Sequence, residues 1–240
     1  EYAAGMAVSS GMSTAIVYTA FGGPEVLTVS DIAVPAPGRG QLAVRVEAAG
    51  VNPIDHKLRA GLRASDPITE PRRVGSDAAG VVTAVGDDVE GFRVGQPVVV
   101  FGVSGAYASD LVVAAANAVP RPPQVSAAEG ASLGIPVGTA YQTLRSLAVG
   151  ADDTVLIHGG SGAVGQAAIQ HAVLAGAAVL ATTSDGRADR VRSPGPTPLP
   201  YGPAAVQRVR AAAPHGRTRG VPRARPHQAR RACPASAASR

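Results

Sequence analysis

Residues 154–172 read TVLIHGGSGAVGQAAIQHA, which is an apolar strand pattern, a glycine-rich turn and the first turns of a helix. A second apolar segment follows at the spacing expected for a strand–helix–strand unit. The three features support one another, whereas the glycine pattern alone would be a weak signal. We therefore predict a strand over Thr154–His158, a helix over Ala163–Leu174 and a parallel strand over Ala178–Thr183.

The glycines of this turn have the G-x-G-x-x-G spacing of a dinucleotide site. Gly160 would permit the tight turn, Gly162 would let the backbone approach a pyrophosphate, and Gly165 would let the helix pack closely on the strand. The first N–H groups of a helix are unpaired and favour an anion. The predicted cofactor-binding residues of the turn are Gly160, Ser161, Gly162, Ala163, Val164 and Gly165. The alternative is a glycine-rich turn that binds no cofactor.

The end of the second strand favours NADPH over NADH. Sites for NAD usually place an acidic residue here, where it binds the ribose hydroxyls, but residues 181–184 read ATTS. Ser184 and Arg187 would instead supply a hydroxyl and a positive charge to a 2′-phosphate. In the alternative interpretation, Ser184 and Asp185 form a turn and Arg187 is solvated.

The segment before this unit predicts a compact, barrel-like β domain. Glycine- and proline-rich turns separate its short strands. We predict strands over Ala15–Tyr18, Leu27–Val34, Leu42–Ala49, Ala78–Val85, Pro97–Phe101 and Ala108–Ala114. Ser126 and Glu129 then form a capping-box pattern for a helix through Leu133. A second helix is predicted over Gly138–Leu147.

Composition restricts the class of protein. Hydrophobic residues make up 45% of the 240 residues but aromatic residues only 3%, so small and β-branched side chains must fill the core. The chain has neither an apolar run long enough for a membrane span nor a signal-peptide pattern. The single cysteine, Cys233, excludes an internal disulfide and a cysteine-rich zinc site. It fits a reducing compartment, and we expect a cytoplasmic protein.

Charge is divided unevenly along the chain. Residues 1–190 hold 12 basic and 17 acidic residues, whereas residues 191–240 hold ten arginines and no acid. The net charge of +5 therefore comes from the tail. Such a tail would bind phosphate backbones nonspecifically, but it has no aromatic residues interleaved beyond Tyr201 and no nucleic-acid-binding fold pattern. We expect no nucleic-acid partner.

Residues 13–190 resemble the zinc-independent quinone oxidoreductases of the medium-chain dehydrogenase/reductase superfamily. The matching segments occur in family order, beginning at residues 15, 75, 105, 134 and 155: AIVYTAFGGPEVLTVSDIAVPAPGRGQLAVRVEAAGVNPID, GSDAAGVVTAVGDDVEGFRVGQPV, GAYASD, GIPVGTAYQTL and VLIHGGSGAVGQAAIQ. The resemblance implies an α/β protein with a GroES-like β-barrel domain over residues 13–125. An incomplete Rossmann domain, a doubly wound parallel sheet, would span residues 126–192.

The resemblance also implies a reaction. Hydride passes from NADPH to a quinone or a similar electron-poor enone, in a cleft between the two domains. Zinc-dependent relatives place a cysteine at the position of Asn52 and a histidine at that of Ser76. Neither ligand type is present, so we expect no metal.

Three further residues are assigned through the resemblance. Asn52 and Asp55 lie in the family's cleft segment and are the predicted catalytic residues, orienting the nicotinamide or the acceptor; the alternative is ordinary turn chemistry. Thr139, before a Tyr-Gln pair, resembles a contact to the nicotinamide end of the cofactor; the alternative is a helix cap at Gly138-Thr139. Arg63 stands where relatives often carry a cofactor-facing aromatic side chain.

The family pattern stops near residue 193. Residues 193–200, SPGPTPLP, stand where the third strand is expected, and neither a helix nor an inner strand tolerates alternating prolines. Ala204–Ala213 is the one short helix we expect in the tail, and disorder is expected over residues 217–240. Our hypothesis is a frame slip in the coding DNA. Residues 196–200, PTPLP, could be encoded CCG-ACG-CCG-TTG-CCG, and this string read two bases along encodes Asp-Ala-Val-Ala, the kind of strand that is expected here. Resequencing the gene would test it.

Truncation or a frameshift would affect function. Missing strands leave a sheet edge open to association, and they would also help to hold the nicotinamide. The alternative to an active reductase is therefore a non-catalytic remnant that binds the cofactor weakly or not at all. The superfamily often dimerises through these strands, so a homodimer is expected only for an intact chain.

Overall fold

The computed structural model describes residues 11–62, 66–192, 195–212 and 218–221. Arg63, Cys233 and most of the segment predicted to be disordered lie outside the described residues. The chain divides into two compact units, Glu1–Thr139 and Ala140–Arg240. This division falls after residue 139, rather than after residue 125 as the resemblance implied.

The first unit is built mainly from antiparallel strands. Its strands are β1 (Met12–Tyr18), β2 (Thr28–Ala33), β3 (Gln41–Gly50), β4 (Arg72–Arg73), β5 (Asp77–Val85), β6 (Pro97–Phe101), β7 (Asp110–Ala114) and β8 (Ala118–Pro120). Its helices are α1 (Pro53–Arg59), α2 (Ala127–Ala131) and the first residues of α3 (Gly134–Ser146). The six strands predicted from the sequence are all present, with ends that differ by up to three residues.

These strands form two sheets. One has the order β2-β1-β4, and the other, with five strands, has the order β7-β3-β5-β6-β8. A bridge between Ala15 and Ala108 and a hydrogen bond from Ile16 N–H to the Tyr107 carbonyl join them. Aliphatic side chains fill the core because alternate residues of each strand point inward; the core includes Leu42, Val44, Val82, Val98, Val100 and Leu111.

The two helices at the end of this unit differ in how well the sequence predicts them. At α2 the capping box is confirmed: Ser126 Oγ accepts the Glu129 N–H and Glu129 Oε2 accepts the Ser126 N–H. Helix α3, however, begins at Gly134 and not at Gly138. Pro136 lies in its first turn, where a missing N–H costs nothing. Thr139 is therefore inside the helix, and the interpretation of Gly138-Thr139 as its cap is wrong.

The second unit is a parallel α/β sheet. Its elements are β9 (Thr154–His158), α4 (Ala163–Leu174), β10 (Ala178–Thr183), α5 (Ala188–Arg192), β11 (Thr197–Pro200), α6 (Ala205–Ala212) and β12 (Thr218–Val221). The strands have the order β11-β10-β9-β12, and every pair is parallel. In chain order this is 3-2-1-4, the first part of the doubly wound nucleotide-binding sheet. The predictions for β9, α4 and β10 are confirmed to the residue.

The expectation that SPGPTPLP cannot supply the third strand is wrong. Its last four residues form β11, which pairs with β10 at the edge of the described sheet. Pro198 and Pro200 alternate with Leu199, and the next N–H, that of Tyr201, donates to the Thr183 carbonyl. The proline nitrogens therefore face away from β10, which an edge strand permits and an inner strand does not. Leu199 is buried against the sheet.

None of the helices in the described residues combines the length and the apolar character that crossing a bilayer requires. In the same part of the chain, no group of three or more His, Cys, Asp and Glu residues is placed to hold a metal ion.

Candidate functional site

The first unit contains a buried polar network around Asn52. Asn52, Asp55 and Asp77 are 7%, 6% and 0% exposed. The Asn52 side-chain amide donates from Nδ2 to Asp77 Oδ2 at 2.9 Å, and its backbone N–H donates to Asp55 Oδ2 at 2.7 Å. The Tyr107 hydroxyl also donates to Asp55 Oδ2, at 2.9 Å. The two predicted catalytic residues are thus brought together, and two residues that the sequence analysis did not single out join them.

Local sequence explains the position of Asn52 and Asp55. Helix α1 starts directly after Asn52, with Pro53 at its first position and Asp55 at its third. Pro53 needs no hydrogen-bond partner there, and a carboxylate favours the helix N-terminus. The alternative of an ordinary turn is therefore wrong about the secondary structure, because this segment opens a helix. Capping accounts for the Asp55–Asn52 backbone contact, but not for the contact between Asn52 and Asp77.

Asp77 begins the central strand β5 of the five-stranded sheet and is fully buried. Its Oδ2 accepts a second hydrogen bond, 2.8 Å long, from the N–H of Ile135 in the first turn of α3. Burial raises the pKa of Asp77 above its usual range and the nearby Asp55 adds to the rise, whereas hydrogen bonds from the Ile135 backbone, the Asn52 side chain and the Gly102 backbone oppose it. Among the described residues, no group donates to Asp55 Oδ1.

Tyr107 is half-buried beside Asp55. Burial, the hydrogen bond to Asp55 and the negative charge of that carboxylate raise the pKa of its phenol above the usual value. The hydroxyl therefore keeps its proton and serves as a hydrogen-bond donor. It is poorly suited to give up a proton at neutral pH, since an efficient general acid has a pKa near the working pH.

Only tertiary structure reveals Asp77 and Tyr107 as members of this network. Both lie in segments that match the family, GSDAAGVV and GAYASD, but their local patterns are those of ordinary strand and loop residues. The contacts that define them join residues 25, 52 and 58 positions apart in the sequence. For Asp77, a signal would have been an acidic residue at the start of an otherwise apolar strand, because burying a charge is costly unless the charge is compensated.

The glycine-rich turn of the second unit has the geometry of a phosphate-binding loop. The left-handed conformation in this turn falls at Gly159, with φ of +77°. A Cβ at Gly160 would lie 2.8 Å from the Ala181 side chain, and one at Gly165 would lie 2.3 Å from the Gly159 carbonyl oxygen. Both glycines thus permit close packing of turn, strand and helix. Gly162 is exposed, and its nearest neighbour is 3.3 Å from an added Cβ.

Hydrogen bonds hold this turn in place. Gly160 N–H donates to the Thr182 carbonyl at 2.8 Å, and the Gln166 side-chain amide donates to the Gly160 carbonyl at 2.8 Å. The turn delivers the chain into α4 at Ala163, so that the first N–H groups of a 12-residue helix point out beyond Gly162. Ser161 and Val164 are half-buried at this end, and Ala163 is exposed.

Ser184 and Arg187 flank the carboxyl end of β10. Both are exposed, and Ser184 precedes the short 3-10 turn Asp185–Arg187. The Arg187 N–H donates to the Ser184 carbonyl at 3.0 Å, which keeps the two residues together. Within the described residues the Arg187 guanidinium makes no ion pair. Thr139, the remaining predicted residue, is exposed on α3 and belongs to the first unit.

Comparison with known proteins places these features in a class. Residues 38–123 match the model of the alcohol dehydrogenase GroES-like domain. The chain has a TM-score of 0.73 with the Escherichia coli quinone oxidoreductase complexed with NADPH, at 28% identity, covering 84% of this chain and 63% of that one. It has a TM-score of 0.74 with a Pseudomonas syringae quinone oxidoreductase, at 33% identity, covering 85% and 63%. A GroES-like domain followed by a partial Rossmann sheet is the arrangement of the medium-chain dehydrogenase/reductase superfamily, and the chain is similar to these members of it.

Sequence comparison identifies the group within this superfamily. The chain is 41% identical to the human quinone oxidoreductase over 187 residues, which cover 76% of this chain and 56% of that protein. It is thus a homologue of the quinone oxidoreductases, and the predicted fold class is confirmed. The chain spans little more than half the length of the curated relatives that it matches.

Proposed function

We propose that this protein is an NADPH-dependent, zinc-independent oxidoreductase that reduces a quinone or a similarly electron-poor enone. The observation that carries the proposal is the turn at residues 159–165, which aims the first amides of α4 outward beside an exposed arginine. NADPH, when bound, would supply the hydride. The relatives named as quinone oxidoreductases, one of them complexed with NADPH, support the acceptor and the cofactor.

The second unit would bind the cofactor through backbone and charge. Gly162 and Ala163 are exposed where the N–H groups of α4 start, which suits a pyrophosphate. Ser184 and Arg187 follow β10 without an acidic residue at its tip, which suits a 2′-phosphate better than a free hydroxyl. Arg187 makes no ion pair among the described residues, so its charge is available to a ligand.

The first unit would supply the polar groups of the reaction. Asn52, held between two carboxylates, is ordered in advance of any ligand, and preordered donors are the groups that stabilise developing charge. Thr139, on the same unit, is proposed to contact the nicotinamide end of the cofactor. Asn52 and Ser76 are poor zinc ligands, and Asn52 Nδ2 is already donating to Asp77. Both points support chemistry without a metal.

The domain assignment remains part of this proposal. We assign residues 13–125 to the domain that carries Asn52 and Asp55, and residues 126–192 to the partial cofactor-binding domain. The cytoplasmic location and a homodimer of an intact chain stay predictions.

The experiment that tests the proposal compares two cofactors. Fluorescence titrations should give tighter binding of NADPH than of NADH, and adding a quinone should consume NADPH at 340 nm. Arg187→Ala should weaken NADPH binding about 10-fold and leave NADH binding unchanged, because the ion pair to a phosphate is worth about 1.5–3 kcal/mol. Arg145→Ala is the matched arginine control, because Arg145 lies near His171 and Ala175, at the other end of α4 from this turn.

Different outcomes separate the alternatives. Gly162→Asp places a negative charge at the entrance of the pyrophosphate site and should abolish binding of both cofactors. Binding of NADPH without quinone-dependent oxidation would favour the non-catalytic remnant. Equal affinity for NADPH and NADH, unchanged in Arg187→Ala, would contradict the assignment of the 2′-phosphate site.

A further inference from the structure

We propose that Asp77 is a positioning residue that acts through Asn52, by holding the Asn52 side-chain amide and the first turn of α3 on one carboxylate oxygen. This inference rests on the proposed function, in which Asn52 orients the nicotinamide or the acceptor. It concerns a residue that touches neither and that the sequence analysis did not single out.

The geometry makes Asp77 Oδ2 a shared acceptor. Asn52 Nδ2 lies 2.9 Å away and Ile135 N lies 2.8 Å away. A carboxylate accepts but cannot donate, so it orients the Asn52 amide with its nitrogen toward β5. The amide oxygen must then face the opposite way. The orientation of a predicted catalytic side chain is therefore set by a residue 25 positions further along the chain.

The surrounding structure is shaped around this contact. Gly134 is the first residue of α3, and a Cβ there would lie 2.2 Å from Asp77 Oδ1 and 2.9 Å from the Phe101 side chain. Only glycine lets the helix approach the carboxylate so closely. Because Thr139 lies one to two turns further along the same helix, Asp77 also helps to place that residue. One carboxylate thus orders two of the residues assigned to the cofactor and the acceptor.

A purely structural role does not explain why the residue is acidic. Asp77 is fully buried in the central strand of a sheet, where a charge is costly. Hydrogen bonds from Ile135, Asn52 and the Gly102 backbone offset this cost only in part, because burial still raises the pKa of Asp77. A neutral side chain could cap α3 at lower cost. The Asn52 amide requires a partner that accepts a hydrogen bond and cannot donate one, and an ionised carboxylate meets this requirement.

Kinetics of substituted proteins distinguish positioning from stability. In Asp77→Ala the Asn52 amide is free to rotate, and we expect kcat per folded molecule to fall about 10- to 100-fold, as for other misplaced groups, with a much smaller change in the KM for NADPH. Asp77→Asn keeps an acceptor oxygen for both donors but adds an NH2 group that can face Asn52 instead, so it should restore only part of kcat. Asp153→Asn is the matched control: Asp153 is also buried and accepts a backbone N–H, from Gly150 at 3.0 Å, but kcat should not change.

A double-mutant cycle provides the sharper test. If Asp77 acts through Asn52, Asp77→Ala should lower kcat strongly in the natural background and much less in an Asn52→Ala background, where only its contact with α3 remains to be lost. Additive losses would overturn the proposal, because Asp77 would then act independently of Asn52. So would a kcat in Asp77→Ala equal to that of the natural chain.

A measurement without turnover completes the test. The side-chain NH2 signals of Asn52 in a 15N-edited NMR spectrum should be shifted from those of a free amide and should move when NADPH is added. In Asp77→Ala the same signals should lie at the positions of a free amide and should not respond to NADPH. Signals that are the same with and without Asp77 would overturn the positioning role, even if the protein is an active reductase. Failure of the natural chain to bind NADPH or to oxidise it with any quinone would overturn the proposed function, and the positioning role with it.

Discussion

The two functional regions of this protein use different parts of the chain. In the first unit, buried side chains from three separate elements make the network around Asn52, with contacts up to 58 positions apart. In the second unit, the turn at residues 159–165 is continuous, and its important atoms belong to the backbone. The turn, which depends on backbone atoms, is therefore encoded locally by its glycines. The network around Asn52, which depends on side chains, is formed only when segments distant in the sequence pack together.

The difference also affects how each region responds to substitution. The turn should fail when a side chain is added, because no space exists for it beside the Gly159 carbonyl. The network should fail when a side chain is removed, because each carboxylate orders more than one donor. Four predictions test this contrast, beginning with the largest effect.

The largest effect is expected from Gly165→Ala. The added Cβ would lie 2.3 Å from the Gly159 carbonyl oxygen and 2.8 Å from the Gly160 Cα, and backbone atoms cannot move aside without breaking the turn. We expect a loss of about 3 kcal/mol in the free energy of unfolding and loss of NADPH binding. Urea denaturation and fluorescence titration measure the two effects. A stable protein that still binds NADPH would show that the turn is not held by close packing.

The second prediction concerns the pH dependence of stability in the first unit. The pKa of Asp77 is raised in the folded protein, so the folded state binds its proton more tightly than the unfolded state does. Its contribution to the free energy of unfolding is fully present below the unfolded pKa of about 3.9 and is lost as the pH rises through the folded pKa. The slope cannot exceed about 1.4 kcal/mol per pH unit.

Asp77→Asn removes this titration and is compared with the natural chain by urea denaturation between pH 4 and pH 8. The difference between the two stability curves should change in favour of the Asn variant as the pH rises. A constant difference across the range would contradict the predicted shift. Residues 159–165 contain no titratable group, so this turn offers no counterpart to the effect.

The third prediction is a loss of about 1 kcal/mol in the free energy of unfolding for Tyr107→Phe. The substitution removes one of the two donors to Asp55 Oδ2 and leaves the Asn52 N–H in place. The ring and its packing are retained, so denaturation measures the hydrogen bond. Tyr141→Phe, at a half-exposed ring of the second unit, is the matched control. Equal stability of the Tyr107 variant and the natural chain would show that the Asp55 carboxylate is satisfied without it.

The smallest effect is expected from Gly138→Ala, which is the counterpart of Gly165→Ala. Gly138 lies inside α3, and a Cβ there would meet no atom within 4 Å. We expect a gain of about 0.7 kcal/mol, because alanine loses less conformational freedom in a helix than glycine does. Denaturation of both alanine variants side by side tests the comparison. A destabilised Gly138→Ala variant would mean that the effect at Gly165 reflects glycine in general and not its close contact.

Much of the fold could be predicted from the sequence. The strands at 154–158 and 178–183, the helix between them and the capping box at Ser126 all follow from local patterns of apolar residues, glycines and capping side chains. Predictions failed where two local rules competed. Helix α3 begins four residues before the predicted start at Gly138, with Pro136 in its first turn. The prolines of residues 193–200 predicted no strand, because the edge position of β11 is not visible in sequence.

The position of the glycine-rich turn follows from the sequence alone, because the turn requires small residues within the seven consecutive positions 159–165. It also indicated Asn52 and Asp55, through the segment that resembles the quinone oxidoreductases. Asp77 and Tyr107 join them only in the folded protein, where the start of β5 and the loop before β7 lie within hydrogen-bond distance of Asn52 and Asp55. No local pattern brings these segments together, because they are 25 and 52 positions away along the chain.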